Sequence, residues 1–162
     1  MNGQLDNFLT KGYARFSVPN LIDLSEFKVT NVEVEKELPD IADPIEKILL
    51  EKFVGYVSEH FVKPLHPKFE VVYSNVWDGV DAGSMTWHND NVEGFDFNVL
   101  YYYDSTAPAT GGEIEFKHPA GEDKIYPQAG DLIFINQSGH FQHKANRSAV
   151  NRRVASIEYK IL

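Results

Sequence analysis

Asp131-Leu132-Ile133-Phe134-Ile135-Asn136 is led by Gly130 and followed by the turn residues Gln137-Ser138-Gly139. A short apolar run bounded by turn signals reads as a buried strand. The same texture extends outward from it in both directions, from Pro67 to the end of the chain. Runs rich in Val, Ile, Phe and Tyr occupy Phe69–Trp77, Ser84–Asn89, Phe95–Tyr103, Gly112–Lys117, Asp123–Tyr126, Asp131–Asn136, Phe141–Asn146 and Arg152–Ile161. Asp-Gly, Ala-Gly, Gly-Gly and Ala-Gly-Glu-Asp lie between them. Short strands at this close, regular spacing predict a mainly β fold, either a β-sandwich or a barrel-like jelly roll.

Upstream of Pro67 the pattern differs. Residues 12–36 read as extended and irregular, with alternation in Lys28-Val29-Thr30-Asn31-Val32-Glu33-Val34. One helix is signalled: Asp43 caps, Pro44 takes the first helical position and Glu46 completes a capping-box pattern. Ile45, Ile48, Leu49, Phe53, Val57 and Phe61 recur at helical spacing until Pro64 and Pro67 end the run. Its apolar stripe needs a partner, and a sheet face supplies one. No second convincing helix is expected. The organisation read from this is a single domain over residues 1–162, with N-terminal strands and a supporting helix in 1–66 and a jelly-roll core in 67–162.

The 162 residues are 43% hydrophobic and 24% charged, an ordinary globular composition. The absence of cysteine excludes a disulfide scaffold, thiolate catalysis and Cys-ligated metal centres. A net charge of -9 argues against a nucleic-acid binder that works by neutralising phosphates. No apolar run approaches the ~20 residues of a membrane span, and Met1 to Lys11 lacks the pattern of a signal peptide. These features predict a cytoplasmic protein with neither nucleic acid nor membrane as partner; nothing in them speaks to oligomeric state. The sequons at Asn136 and Asn146 are then fortuitous. The charge is uneven: -4 over residues 1–66, -9 over 67–138 and +4 over 139–162. An acidic middle suits a cation, and a basic last segment suits a small anion.

Six histidines are candidates for chemistry. His60 falls at the end of the expected helix, and His66 and His118 each precede a proline, so all three read as surface residues. His88 sits in Met85-Thr86-Trp87-His88-Asn89-Asp90. Residues two apart on a strand share a face, so His88 and Asp90 converge while Asn89 points away. An imidazole and a carboxylate are two thirds of a facial triad for a divalent transition metal. The pair alone is weak evidence for a metal, since it also reads as a hydrogen-bonded surface couple. A third ligand must come from a distant strand, and His140 and His143 both qualify. Ten residues after His143, Arg153 enters the apolar run Val154-Ala155-Ser156-Ile157. A buried arginine needs an anionic partner. Arg152 reads as its exposed counterpart, or both are solvated on an edge strand.

The order His88-x-Asp90, Gly111-Gly112-Glu113, Gly130-Asp131-Leu132-Ile133-Phe134, His143, Arg153 resembles the iron(II)- and 2-oxoglutarate-dependent oxygenases, in the branch that includes prolyl 4-hydroxylases. The resemblance covers about the last 90 residues. It implies a double-stranded β-helix, with His88, Asp90 and His143 binding Fe(II). It also implies that Arg153 pairs with the distal carboxylate of 2-oxoglutarate. His143 fits the family spacing better than His140. Many prolyl hydroxylases of this branch carry lysine where Arg153 stands, so the anion-binding role carries over more safely than the branch. The family's cosubstrate tyrosine best matches Tyr102, with Tyr101 and Tyr103 facing away by alternation. Trp77 matches, more loosely, an aromatic beside the cosubstrate.

The activity implied is oxidation of a C–H bond, a hydroxylation, coupled to conversion of 2-oxoglutarate and dioxygen into succinate and carbon dioxide. Ascorbate enters as an optional reductant. Three ligands leave three positions open on an octahedral iron, two for a 2-oxo acid and one for dioxygen. Asp90 fills the carboxylate position that related halogenases leave vacant, which disfavours halogenation; desaturation, demethylation and ring closure stay open. The substrate is a small molecule or a peptide, with peptidyl proline first and free amino acids next. Phe95, Phe97 and Trp87 line the entrance or pack into the core. The rival readings are a cupin-like metal-binding or small-molecule-binding jelly roll, whose first motif usually holds two histidines and a glutamate, and a non-catalytic binding domain.

Overall fold

The computed structural model describes residues 2–19, 36–37, 69–77, 86–91, 94, 96–150, 152 and 154–161. The expected helix after Asp43 lies outside them, as do His60, His66, Phe95 and Arg153.

The apolar run of the sequence is a strand buried on both faces. Leu132, Ile133 and Phe134 are 0% exposed and Ile135 is 1%, which is why the run shows no polar alternation. Labelled in chain order, the strands are β1 (Tyr13–Ser17), β2 (Lys36–Glu37), β3 (Phe69–Trp77), β4 (Phe97–Tyr102), β5 (Ile114–His118), β6 (Gly121–Ile125), β7 (Asp131–Asn136), β8 (Gln142–Ala145) and β9 (Val154–Ile161). They pair, always antiparallel, into a sheet of order β1-β7-β4-β9-β3-β2 and a smaller sheet of order β6-β5-β8. Tyr102, Ile133, Ile135 and Val154 from the larger sheet meet Ile114, Phe116 and Ile125 from the smaller one in a single cluster. Two antiparallel sheets closed over a shared core make a jelly roll, as the strand spacing predicts.

Two expectations are corrected. The segment Ser84–Asn89 does not form a strand in its described part; it makes only an isolated bridge at His88. A helix is also present where none was expected. It is α1 (Asn2–Thr10), nine residues that carry Leu5, Phe8 and Leu9 at helical spacing. It is bound to the larger sheet: Arg15 N donates to Gln4 Oε1 at 3.0 Å, Asn136 Nδ2 donates to the Phe8 carbonyl at 3.1 Å, and Phe8 meets Phe97 edge-on at 6.3 Å.

Lys11 Nζ and Tyr13 Oη both donate to Asp123 Oδ2, at 3.0 and 2.8 Å. This ties the helix and β1 to β6 in the smaller sheet. Burial first, and then the Asp123 carboxylate, push the Tyr13 hydroxyl up to about 12. Tyr13 therefore stays a proton donor.

Candidate metal centre

The site is built where the chain around His88 joins the free edge of the smaller sheet. His88 N donates to the His143 carbonyl at 3.1 Å, and His143 N donates back at 2.9 Å. This bridge brings together residues 55 positions apart in sequence. The two rings lie 4.3 Å apart at 54°. Asp90 Oδ1 is 3.9 Å from His88 Nε2, and Asp90 Oδ2 is 3.9 Å from His143 Nε2. One donor atom from each of the three residues falls within 4.8 Å of the other two. Among the described residues no other group of three His, Asp or Glu converges in this way.

The surroundings fix which atoms face the centre. His88 Nδ1 donates to the Thr86 carbonyl at 2.7 Å, which leaves the Nε2 lone pair available. Asp90 Oδ2 accepts from Asn98 Nδ2 at 2.8 Å and from Gln137 Nε2 at 3.0 Å. Gln137 also accepts the Asp90 backbone N–H through Oε1, at 2.8 Å. His143 is 8% exposed. Burial, reinforced by His88 and opposed by Asp90, pulls its pKa down to about 4, so the ring is neutral and competent as a ligand at physiological pH. Two imidazoles and one carboxylate suit a divalent iron-type ion, and three ligands leave coordination positions open.

Tyr102 and Arg152 are among the largest fully buried side chains. Tyr102 is 2% exposed and belongs to the core cluster with Val154, while Leu100 packs against the same cluster from the same strand face. Tyr101 points the other way, donating to the Val18 carbonyl at 3.1 Å and meeting Tyr103 edge-on. Burial pushes the Tyr102 hydroxyl up to about 12, with Asp131 adding and Arg152 opposing. Arg152 was expected to be exposed; it is 1% exposed. It lies two residues before Val154, which faces the core, and its Nη1 donates to the Asn146 carbonyl at 2.7 Å. Burial lowers its pKa, while Tyr102 and Glu113 act in the opposite direction.

The remaining candidates are spread out. Trp77 pairs with Val154 across β3 and β9. His140 is exposed. Phe97 is buried in the core at 4% exposure. Trp87 is half-buried beneath Lys144 Nζ, 4.7 Å from the ring centroid. His118, expected at the surface, has a side chain only 5% exposed. Strand β5 runs through it, and the alternation Ile114, Phe116, His118 turns it inward. Asn98 and Gln137, which grip Asp90, belong to no sequence motif.

Neither a family profile nor a curated protein matches the chain. Solved structures do match. A prolyl hydroxylase from Trichoplax adhaerens, in complex with a hypoxia inducible factor peptide fragment, superposes with a TM-score of 0.70 at 15% identity, over 99% of this chain and 88% of its own. A 2OG-Fe(II) oxygenase family protein from Burkholderia pseudomallei gives 0.75 at 12% identity, over 98% and 90%. HygX from Streptomyces hygroscopicus, with iron bound, gives 0.73 at 10% identity, over 99% and 87%. The fold is that of the 2-oxoglutarate- and iron(II)-dependent oxygenases. The double-stranded β-helix implied by the sequence resemblance is therefore present. The cupin-like alternative is not favoured, since the cage holds one His-x-Asp pair and a distal histidine. No helix among the described residues is long and apolar enough to cross a membrane.

Proposed function

We propose that the chain is an Fe(II)- and 2-oxoglutarate-dependent dioxygenase, a hydroxylase, with His88, Asp90 and His143 as its metal ligands. The observation that carries this reading is the convergence of those three donors within 4.8 Å in an oxygenase fold. Bound iron, with 2-oxoglutarate and dioxygen, would supply the oxidising power for attack on a C–H bond. The residues of the chain do the rest. His88 and His143 offer neutral nitrogens, and Asp90 offers one negative charge, so a divalent ion keeps a net positive charge that attracts an anionic cosubstrate.

Arg152 takes the carboxylate-binding role that the sequence resemblance gives to Arg153. It is a buried cation on the core-facing side of the chain, beside Tyr102, and a buried guanidinium is suited to bidentate pairing with a carboxylate. Tyr102, whose hydroxyl burial pushes up to about 12, would donate to the same carboxylate. Trp77, which the sequence resemblance matches loosely to an aromatic beside the cosubstrate, is the candidate for the adjoining position. The substrate class is peptidyl proline first, favoured by the prolyl hydroxylases among the matching structures, and free amino acids next. Ascorbate serves as an auxiliary reductant.

The deciding experiment adds 2-oxoglutarate to the Fe(II)-loaded protein without oxygen and records the visible charge-transfer band. Oxygen is then admitted and succinate is measured with and without a panel of proline peptides and free amino acids. A band, followed by substrate-stimulated succinate, supports the reading. Neither band nor succinate from iron-loaded protein removes it in favour of a non-catalytic binding domain.

A further inference from the structure

Asp90 is held by a single side chain at two points. Gln137 Nε2 donates to Asp90 Oδ2 at 3.0 Å, and Gln137 Oε1 accepts the Asp90 backbone N–H at 2.8 Å. Gln137 is 0% exposed and follows directly on β7, the strand buried on both faces. Its backbone is anchored too: Gln137 N donates to the Asp96 carbonyl at 3.0 Å. Asn98, 4% exposed on β4, adds a second amide donor to the same Oδ2 at 2.8 Å. One carboxylate oxygen thus carries two amide N–H groups, and Oδ1 carries neither of them.

The asymmetry has a chemical meaning. A carboxylate with both oxygens free can chelate a metal through both and occupy two coordination positions. Two donors on Oδ2 reduce its basicity and occupy the lone pairs a metal would use, so Oδ1 is the ligating atom. The cage then holds the ion through three atoms and not four, which preserves a coordination position for a small molecule.

We infer that Gln137, assisted by Asn98, is a positioning residue that holds Asp90 as a monodentate metal ligand through Oδ1. This rests on the oxygenase reading of the site and concerns how that site keeps its open positions. The contribution of such hydrogen bonds to metal affinity is typically 10–100-fold.

Cobalt(II) tests this without turnover, because its d–d bands report coordination number and its titration reports affinity. The wild-type chain, Gln137→Met and Asn98→Ala are titrated with cobalt(II), and the thermal unfolding of each metal-free protein is recorded. Gln137→Met, close to isosteric but without amide groups, is expected to bind roughly 10–100-fold more weakly. Its d–d spectrum should change as Oδ2 becomes free to chelate. Asn98→Ala should show the same change to a smaller extent, and it carries the test if Gln137→Met does not fold. Wild-type binding with unchanged affinity and an unchanged spectrum in the folded variants overturns the inference and leaves the oxygenase reading standing. No cobalt binding by the wild-type chain overturns both.

Discussion

His88 and His143 exchange both backbone hydrogen bonds, at 3.1 and 2.9 Å, while their rings lie 4.3 Å apart. Two ligands are therefore set by main-chain pairing and not by flexible side chains alone. Such preorganisation favours binding because little remains to be ordered.

Removing either histidine or Asp90 should abolish metal binding at micromolar protein, read by calorimetric titration with Mn(II). His140→Ala should bind like the wild type, because His140 is exposed and outside the cage. Loss of binding in His140→Ala with retention in His143→Ala would reverse the choice of third ligand.

Arg152→Gln should weaken 2-oxoglutarate binding by about 2–5 kcal/mol, roughly 30-fold or more, the usual result of truncating one partner of a buried charge pair. Metal affinity should barely change. The measurement is titration of the anaerobic Fe(II) protein with 2-oxoglutarate, with Arg153→Gln as the comparison. A larger loss in Arg153→Gln would return the role to that residue.

Metal-free protein should lose stability on mild acidification. His143 titrates near its ordinary value of 6.5 in the unfolded chain and at about 4 in the folded one. Between those values the unfolded chain binds more protons, so stability rises with pH through that window and is flat above it. Chemical unfolding at pH 7, 5.5 and 4.5 should show a decline that is reduced in His143→Gln. An equal decline in both proteins would assign the acid sensitivity elsewhere.

Gly130→Ala should destabilise the fold by roughly 1–3 kcal/mol. Gly130 has φ 88°, and an added Cβ would lie 2.8 Å from the Pro19 backbone. Denaturant titration of wild type and variant at matched pH measures this, and an unchanged midpoint would show that the Pro19 segment yields freely.

Strands bounded by strong turn signals were legible in sequence. Phe69–Trp77 and Asp131–Asn136 are read with the same limits that the structure shows. The candidate cage was legible in its chemistry, a His-x-Asp pair and a distal histidine, although the strand alternation expected at His88-Asn89-Asp90 is replaced by an isolated bridge. Other features depend on register, which composition does not encode. Arg152 precedes β9 by two residues, and an Arg-Arg doublet gives no sign of which member is buried; Arg152 is 1% exposed, and Arg153 lies outside the described residues. Gln137 and Asn98 are ordinary amides until folding brings them to Asp90. Helix α1 is too short for a strong periodic signal. His118 read as a turn residue because Pro119 follows, yet β5 continues through it.

The cage draws His88 and Asp90 from the segment at the bridge and His143 from β8, while Asn98 on β4 and Gln137 after β7 hold Asp90. His143 stands 53 residues after Asp90, so no single hairpin holds all three ligands. An ion consequently cannot gather all three ligands from one short loop, as it does in a zinc finger. Long-range pairing must be complete first, and such topologies close slowly. Metal capture therefore belongs to the last stage of folding. A pulse of cobalt added during refolding would report barrel closure itself, with colour appearing only once the final strands have met.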